Sequence, residues 1–244
     1  MPELPQVVAR LLPAFLANGL VAGAAYALHT VNASGAAMGF VLGSTVYAAA
    51  SPGAFALLLL FFVVGSAATR VGYRKKLAAG IAQEQGGARS WRHAVANAGG
   101  PALLALGSAV TPYRDLFLVG VAGALATATG DTVSSEMGKA FGRRTFLLTS
   151  FRPVPPGTVG AVSLEGTLAG TAGVLLASAA AALLKVISLA AVPWVALAGF
   201  LAFMLEGYLG AFFETSGLLS NEQVNFANTL IGAGLAMALV AVLC

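Results

Sequence analysis

Eight apolar stretches, each ended by charged or turn-forming residues, restrict how this chain folds more than any other feature. They run at about 11–28, 33–50, 53–69, 94–110, 115–130, 166–187, 190–213 and 224–243. A helix needs about 20 apolar residues to cross the hydrocarbon core of a bilayer, and most of these stretches approach that length. The sequence therefore predicts an all-α fold, a polytopic integral membrane helical bundle with about seven or eight transmembrane helices. We expect residues 1–244 to form a single transmembrane catalytic domain.

The amount of charge is too low for a soluble domain. Only 9% of the 244 residues are charged and 58% are hydrophobic, whereas soluble domains carry about 25% charged residues. Disordered chains, secreted disulfide scaffolds and ordinary cytosolic enzymes are therefore excluded. The single cysteine, Cys244, and the two histidines, His29 and His93, exclude cysteine-rich and histidine-rich metal sites. Any metal is then expected on carboxylates and phosphates, as is usual for Mg²⁺.

The positive charges lie mainly in two loops, which two apolar stretches separate. One loop runs from Arg70 to Arg92, and the other contains Lys139, Arg143, Arg144 and Arg152. Two spans between them return the chain to the same side of the membrane. The positive-inside rule assigns that side to the cytoplasm or, in a plastid, to the stroma. We expect phosphate ligands rather than nucleic acid to balance the basic loops.

The same count of spans places the other segments. The N-terminal end with Arg10, the 111–115 turn and the C-terminus are predicted on the side opposite the basic loops. The polar segments 131–165 and 206–225 are predicted on or near the basic side. A site assembled from loops distant in sequence is therefore expected there.

The acidic segment 130–143 follows the fifth apolar stretch directly. Acidic residues at the end of a span are costly unless they are paired or coordinated, which makes them functional candidates. In a helix, the polar positions form two adjacent stripes, Asp131, Ser135, Gly138 and Gly142 on one and Thr132, Glu136, Lys139 and Arg143 on the other. A structural interpretation is also open, in which Glu136 and Lys139 are a surface ion pair and Asp131 is a helix cap.

The segment 152–167 is rich in proline and glycine and is unlike a membrane span. Prolines fix an extended backbone, and glycines let backbone amides turn toward a ligand. Together with nearby hydroxyl groups and Arg152, these amides form a possible phosphate cradle, and Glu165 is a candidate metal ligand. An ordinary interhelical loop is the other interpretation, because the Gly-Lys-Ser/Thr ending of a P-loop is missing.

Polar residues also occur near the last two apolar stretches. Glu206 lies inside an apolar stretch with no basic residue nearby in sequence, so that it requires a partner from another helix. Asn221 and Asn225 share one face at the start of the last helix. Interhelical hydrogen bonding for Glu206 and N-capping for Asn221 are the structural alternatives.

Small residues spread through the apolar stretches predict close helix packing. Gly35, Gly39 and Gly43 are interpreted as a packing seam rather than as a site. His29 and His93 have no evident partner in sequence and are assigned to packing or to the membrane interface.

Taken together, these segments resemble the phytyl-phosphate kinases of the plant and cyanobacterial vitamin E (tocopherol) pathway, within a wider family of polytopic membrane proteins. The resemblance extends over about 34–233, and its most specific stretches are 131–142, 154–158 and 163–170. It implies transfer of the γ-phosphoryl group of a nucleotide, CTP, to phytyl phosphate or a related isoprenoid monophosphate, which gives the diphosphate. It also implies a cyanobacterial or plastid membrane as the location. The pattern is also similar to phytol and dolichol kinases and to membrane CTP:phosphatidate cytidylyltransferases.

Phosphoryl transfer between anions requires Mg²⁺ on carboxylates, cationic and backbone donors, and exclusion of water. The expected metal ligands are Asp131, Glu136 and Glu165, which with Lys139 form the expected catalytic set. The expected substrate-binding residues are Ser134, Ser135, Arg143, Arg144, Arg152, Gly157, Thr158, Ser163, Thr167, Glu206, Asn221 and Asn225. The expected partners are a nucleoside triphosphate, a prenyl monophosphate and the lipid bilayer.

Three other functions remain open at this point. The first is a CTP-dependent kinase that acts on a prenol such as phytol, and the second is a lipid cytidylyltransferase. The third is a small-solute transporter that uses the buried carboxylates for ions. Transporter sites lie near the middle of the bilayer, whereas the motifs here are expected at one membrane face, which disfavours the third.

Overall fold

The computed structural model describes residues 4–83 and 85–244, and these residues are mostly helical. Their α-helices are α1 (Leu4–Ala27), α2 (Ala33–Thr45), α3 (Pro52–Arg70), α4 (Tyr73–Ala78), α5 (Trp91–Val110), α6 (Arg114–Phe141), α7 (Leu164–Leu183), α8 (Val192–Leu209) and α9 (Asn221–Leu243). Two π-turns extend them, Val46–Ala50 after α2 and Gly210–Glu214 after α8. Short 3₁₀ turns occur at Gln85–Gly87 and Leu189–Ala191. Two short strands, β1 (Thr145–Leu147) and β2 (Ala161–Ser163), pair antiparallel, with Phe146 opposite Val162.

Seven helical segments in the described part of the chain are long and apolar enough to cross a membrane. They comprise α1, α2, α3, α6, α7, α8 and α9, where α2 and α8 include their π-turns. The helix α5 has 20 residues but is less apolar, and it packs against α2, α6 and α9. The prediction of an all-α membrane bundle with seven or eight transmembrane helices is confirmed.

Contacts between loops show which helix ends lie together. The ammonium group of Lys75 donates to the carbonyl oxygen of Ala140 at 2.6 Å, which places α4 beside the end of α6. The backbone N–H of Asn32 donates to the carbonyl oxygen of Arg89 at 3.1 Å, so that α2 and α5 begin at the same end. These contacts lie at one end of the bundle, which we call the basic end. The helices α3, α6 and α8 end there, and α2, α5, α7 and α9 begin there.

The opposite end of the bundle is held by a different set of contacts. The guanidinium groups of Arg10 and Arg114 both donate to the carbonyl oxygen of Ala50, at 3.1 Å and 2.6 Å. The thiol of Cys244 lies 3.6 Å from the carbonyl oxygen of Ala190. The two basic loops therefore lie at one end, and the first half of α1 with Arg10 and the C-terminal Cys244 lie at the other, as the count of spans predicts.

The helix α6 is the centre of the bundle. Each of its residues from Leu118 to Asp131 is buried. The hydroxyl groups of Thr127 and Thr129 donate to carbonyl oxygens one turn earlier, at 2.9 Å and 2.7 Å, which satisfies them inside the apolar core. The helix continues beyond the apolar stretch as far as Phe141, so the polar segment that follows residue 130 is helical. Polar residues continue the helix here because they face a cavity and other helices instead of lipid.

Glycines bring the backbones of α6 and α7 close together at the basic end. A Cβ atom at Gly170 would lie 2.7 Å from the carbonyl oxygen of Gly130 and 2.7 Å from the Cβ of Ser134. A Cβ atom at Gly166 would lie 2.7 Å from the carbonyl oxygen of Ser134. Small residues permit this approach, which is the usual basis of tight helix packing in membranes. The contact fixes Asp131 and Ser134 beside the segment that enters α7.

We expect Gly170→Val to destabilise the bundle, because the new side chain meets the α6 backbone. Overpacking of this kind costs about 1–3 kcal/mol, and a lower apparent melting temperature in detergent would report it. Gly234→Val is the matched control, since a Cβ at Gly234 on α9 meets nothing within 4 Å. Equal melting temperatures for the two variants would contradict the proposed role of the glycine contact.

Candidate active site

A polar cavity of about 290 Å³ lies at the basic end of the bundle. Its walls come from the end of α6, the end of α8, the start of α9 and the segment before α7. Segments that are far apart in sequence therefore meet at one space. The polar side chains that line it belong to Asp131, Ser134, Ser135, Lys139, Thr145, Thr158, Ser163, Glu206, Glu214 and Asn221.

The helix α6 supplies one acidic and one basic group to the polar cavity. Asp131 is buried, with 7% of its surface exposed, and Ser135 lies one turn further along the same face. Gly138 continues this face, and without a side chain there the hydroxyl group of Ser163 comes close. The predicted stripe is therefore present from Asp131 to Gly138, but its fourth member, Gly142, lies beyond the end of the helix. Lys139 lines the cavity as well, with 30% of its side chain exposed.

The segment between β1 and α7 forms a second wall of the polar cavity. Gly157 and Gly160 have φ angles of 87° and 74°, a left-handed conformation that favours glycine. A Cβ at Gly160 would also lie 2.7 Å from the carbonyl oxygen of Gly207 on α8, so the segment packs directly on that helix. Ser163 caps α7, because its hydroxyl oxygen accepts from the backbone N–H of Gly166 at 3.1 Å.

The helix α8 supplies two carboxylates to the polar cavity, Glu206 and Glu214. Eight residues correspond to roughly two and a quarter turns of a regular α-helix, which would rotate Glu214 away from Glu206. The π-turn Gly210–Glu214 takes more residues per turn, and both carboxylates line the cavity. The charged groups that act electrostatically on Glu206 are Asp131, Glu214 and Lys139. Glu214 is not among the predicted site residues, because a π-turn has no clear sequence signal.

The start of α9 closes the polar cavity. The amide of Asn221 donates to the carboxylate of Glu214 at 3.3 Å, and the amide of Asn225 donates to the side-chain oxygen of Asn221 at 3.3 Å. Ser220, not Asn221, caps the helix, since its hydroxyl oxygen accepts from the backbone N–H of Gln223. Asn221 is therefore free of the capping role and orients the Glu214 carboxylate.

Glu136 lies on the neighbouring face of α6 and is held by two lysines. Its carboxylate is 2.5 Å from the ammonium group of Lys76 and 3.6 Å from that of Lys139. Lys76 has no exposed surface and also donates to the carbonyl oxygens of Ala68 and Thr69, at 3.3 Å and 2.8 Å. Three acceptors match the three donors of an ammonium group. The pairing of Lys76 with Glu136 could not be predicted from helical spacing, because 60 residues separate them in the chain.

The other residues that the sequence analysis proposed lie outside the lining of the polar cavity. Glu165 accepts from the backbone N–H of Arg143 at 3.4 Å. Arg143 is not on the second stripe of α6, because the helix ends at Phe141. The proposed residues outside the cavity lining are Glu136, Arg143, Arg144, Arg152, Glu165, Thr167 and Asn225.

The structure does not bring the three expected metal ligands Asp131, Glu136 and Glu165 together. Among the residues described, no three His, Cys, Asp or Glu side chains form a group able to hold a metal ion. The polar cavity nevertheless has more negative than positive charge, since three carboxylates and one ammonium group line it. A divalent cation fits this charge. Mg²⁺ commonly uses one or two protein carboxylates together with phosphate oxygens, and therefore does not need a group of three.

We expect Lys76→Met to destabilise the protein strongly, because the buried carboxylate of Glu136 would lose its nearest partner. Breaking one side of a buried pair costs about 3–5 kcal/mol, which a chemical or thermal unfolding curve in detergent would report. The double variant Lys76→Met/Glu136→Leu should recover most of the loss. Arg74→Met, an exposed change in the same helix, should alter stability by no more than about 0.5 kcal/mol. A Lys76→Met variant that is as stable as the double variant would contradict this role of Lys76.

Comparison with known proteins places the chain among integral membrane proteins. It is 40% identical over 205 residues to the uncharacterized membrane protein sll0875 of Synechocystis sp., which covers 83% of this chain and 80% of that protein. It is 34% identical over 228 residues to Protein VTE6, chloroplastic, of Arabidopsis thaliana, covering 89% and 68%. It is 36% identical over 180 residues to the uncharacterized membrane protein MJ0933 of Methanocaldococcus jannaschii, covering 72% and 71%.

The same comparisons confirm the resemblance to plant and cyanobacterial membrane proteins. No solved structure matches the chain. The sequence profile of the family described as "Integral membrane protein DUF92" matches residues 16–233, which include every wall of the polar cavity. The chain therefore belongs to the DUF92 family of integral membrane proteins.

Proposed function

We propose that the chain is a membrane kinase that transfers a phosphoryl group from CTP to phytyl phosphate or a related isoprenoid monophosphate. The polar cavity carries this proposal, because carboxylates, an ammonium group and a glycine-containing segment face one space at the end of a membrane bundle. The resemblance of the segments 131–142 and 154–170 to phytyl-phosphate kinases supports it. So does the similarity to the chloroplastic Protein VTE6.

In the proposed reaction, a terminal oxygen of the acceptor phosphate attacks the γ-phosphorus of the nucleotide. The bond from that phosphorus to the oxygen it shares with the β-phosphate breaks, so that the nucleoside diphosphate leaves and the isoprenoid diphosphate remains. The attacking oxygen is already an anion, and no strong general base is needed. Rate acceleration then comes from positioning and electrostatics. The described lining of the polar cavity contains no histidine, which suits such a reaction.

In this proposal, the cationic, hydroxyl, amide and carboxylate groups of the cavity lining have different roles. The ammonium group of Lys139 stabilises the charge on the transferred phosphoryl group, and Glu136 holds that ammonium group from the side away from the cavity. Backbone amides of the segment 157–163 and the hydroxyl groups of Ser134 and Ser135 hold phosphate oxygens. One or two of the cavity carboxylates, Asp131 with Glu206 or Glu214, would hold Mg²⁺ together with phosphate oxygens. The ion would neutralise phosphate charge when bound.

The acceptor enters from the bilayer in this proposal. Phe203 and Met204 line the apolar side of the polar cavity. This side suits the first carbons of an isoprenoid chain, while the phosphate lies among the polar groups. The nucleotide enters from the aqueous side at the basic end.

Purified protein given phytyl phosphate, CTP and Mg²⁺ is expected to form phytyl diphosphate. Asp131→Asn should lower the rate at least about a hundredfold, because an amide binds the Mg²⁺ that neutralises the phosphates less well than a carboxylate does. Asp115→Asn is the matched control, since Asp115 is exposed in the first turn of the same helix, at the opposite end of the bundle. Normal turnover by Asp131→Asn would overturn its assignment as a metal ligand.

The labelled products separate the proposed kinase from the other functions. Label from the γ-phosphate of CTP appears in the lipid only if a kinase acts. A cytidylyltransferase instead transfers the α-phosphate as CMP and releases pyrophosphate. Phosphorylation of phytol itself would identify an alcohol kinase. Substrate-dependent uptake into liposomes without nucleotide turnover would identify a transporter.

A further inference from the structure

An apolar groove between α1, α2, α3 and α5 takes no part in the proposed reaction. Its volume is about 100 Å³, several times the roughly 10–15 Å³ that one water molecule needs. Leu42, Phe55 and Leu58 are among its apolar walls, and Arg89 and His93 lie at its end near the basic loops. None of its lining residues also lines the polar cavity. It is therefore a separate space in the bundle.

Arg89 is a buried cation at the polar end of the apolar groove. Only 9% of its surface is exposed, and its guanidinium group lies over the ring of Phe61, 5.6 Å from the ring centre. Its backbone is fixed by hydrogen bonds to Thr30 at 2.9 Å and from Asn32 at 3.1 Å. Burial lowers the pKa of the guanidinium group and the carboxylate of Glu136 opposes this, so that Arg89 remains a cation.

The donors of Arg89 are available to a ligand. In the parts of the chain that the structure describes, no side-chain or carbonyl oxygen accepts a hydrogen bond from its guanidinium group. This differs from Lys76, whose ammonium group has three acceptors. A guanidinium group presents a planar fork of donors that matches a phosphate or a carboxylate. A buried fork without acceptors at the end of an apolar groove indicates a site for an anion.

Three glycines of α2 line the groove, and one of them has open space beside it. A Cβ at Gly35 would collide with the carbonyl group of Arg89, and a Cβ at Gly43 would collide with the side chain of Asn18. A Cβ at Gly39 would meet nothing within 4 Å, although Gly39 lines the groove. The predicted packing seam is therefore correct for Gly35 and Gly43 and wrong for Gly39, which faces open space.

We propose that the apolar groove binds a single-chain amphiphile with an anionic head group, a phosphate or a carboxylate. The head group lies at Arg89, and the chain runs between α2 and α3 toward Phe55. From Phe62 to Phe55 the groove follows α3 for roughly 10 Å away from the basic end. A neutral lipid would leave the guanidinium donors without acceptors, and inorganic phosphate would leave the apolar walls uncovered. This site goes beyond the proposed kinase reaction and does not depend on it.

Photolabelling tests the site without a nucleotide. The probe is dodecyl phosphate with a diazirine at the far end of its chain, irradiated with the purified full chain in detergent and mapped by peptide mass spectrometry. We expect label on the groove-lining residues of α2 and α3. Gly39→Leu should reduce this label at least tenfold, because the new side chain enters the groove. Gly23→Leu is the matched control, since Gly23 also has open space around it but lies outside the groove.

The head-group assignment has its own test. Arg89→Gln should lower labelling by the phosphate probe at least tenfold, and should leave labelling by the matching dodecanol probe unchanged. Competition by phytyl phosphate would assign the site to an isoprenoid phosphate, and competition by oleoyl lysophosphatidate alone would assign it to a membrane lipid.

Two outcomes would overturn the proposal. One is groove label that persists in Gly39→Leu, which decides the matter even if Arg89→Gln does not fold. The other is displacement of the probe by inorganic phosphate alone. Failure of the kinase assay would leave either result unchanged, because no step here uses CTP.

Discussion

The close approach of α6 and α7 is the contact on which the rest of the candidate site depends. With glycine at positions 130, 166 and 170, the two backbones touch where the bundle reaches the basic end. This contact places Asp131 and Ser134 opposite the segment that enters α7. In a bilayer no hydrophobic force draws helices together, so tight packing of small residues supplies much of the association. The polar cavity lies beside this contact, between the end of α6, the segment that enters α7 and the end of α8.

The few charged side chains in this bundle differ in how well they are satisfied. Lys76 and Glu136 form a buried pair in which the ammonium group has a full set of acceptors. Such a pair holds α4 on α6 and has little capacity left for a ligand. Asp131, Glu206 and Glu214 instead face one another around an open space, with Lys139 as the ammonium group in its lining. Buried carboxylates arranged in this way are stabilised by binding a cation. This is the physical reason for the proposed binding of Mg²⁺ with phosphate groups in the polar cavity.

The polar cavity and the apolar groove share no lining residue, and they suit different proposed ligands. The polar cavity has polar walls and holds charges of both signs, which suits two phosphorylated substrates. The groove has apolar walls and one buried guanidinium group, which suits a chain with a single anionic head. Glu136 lies between them, since it contacts Lys139 and also acts electrostatically on Arg89.

Three features could be predicted from the residues alone: the membrane bundle, the shared side of the two basic loops, and the polar face at Asp131 and Ser135. Apolar length and helical periodicity are local properties, and they are the same in any packing of the helices. Three others follow only from the packed bundle: Glu214 lines the cavity, Lys76 pairs with Glu136, and Gly39 faces open space. Those outcomes depend on how each helix is rotated against its neighbours. The rotation of a helix is set by contacts between residues far apart in the chain, and the sequence pattern of one helix does not reveal these contacts.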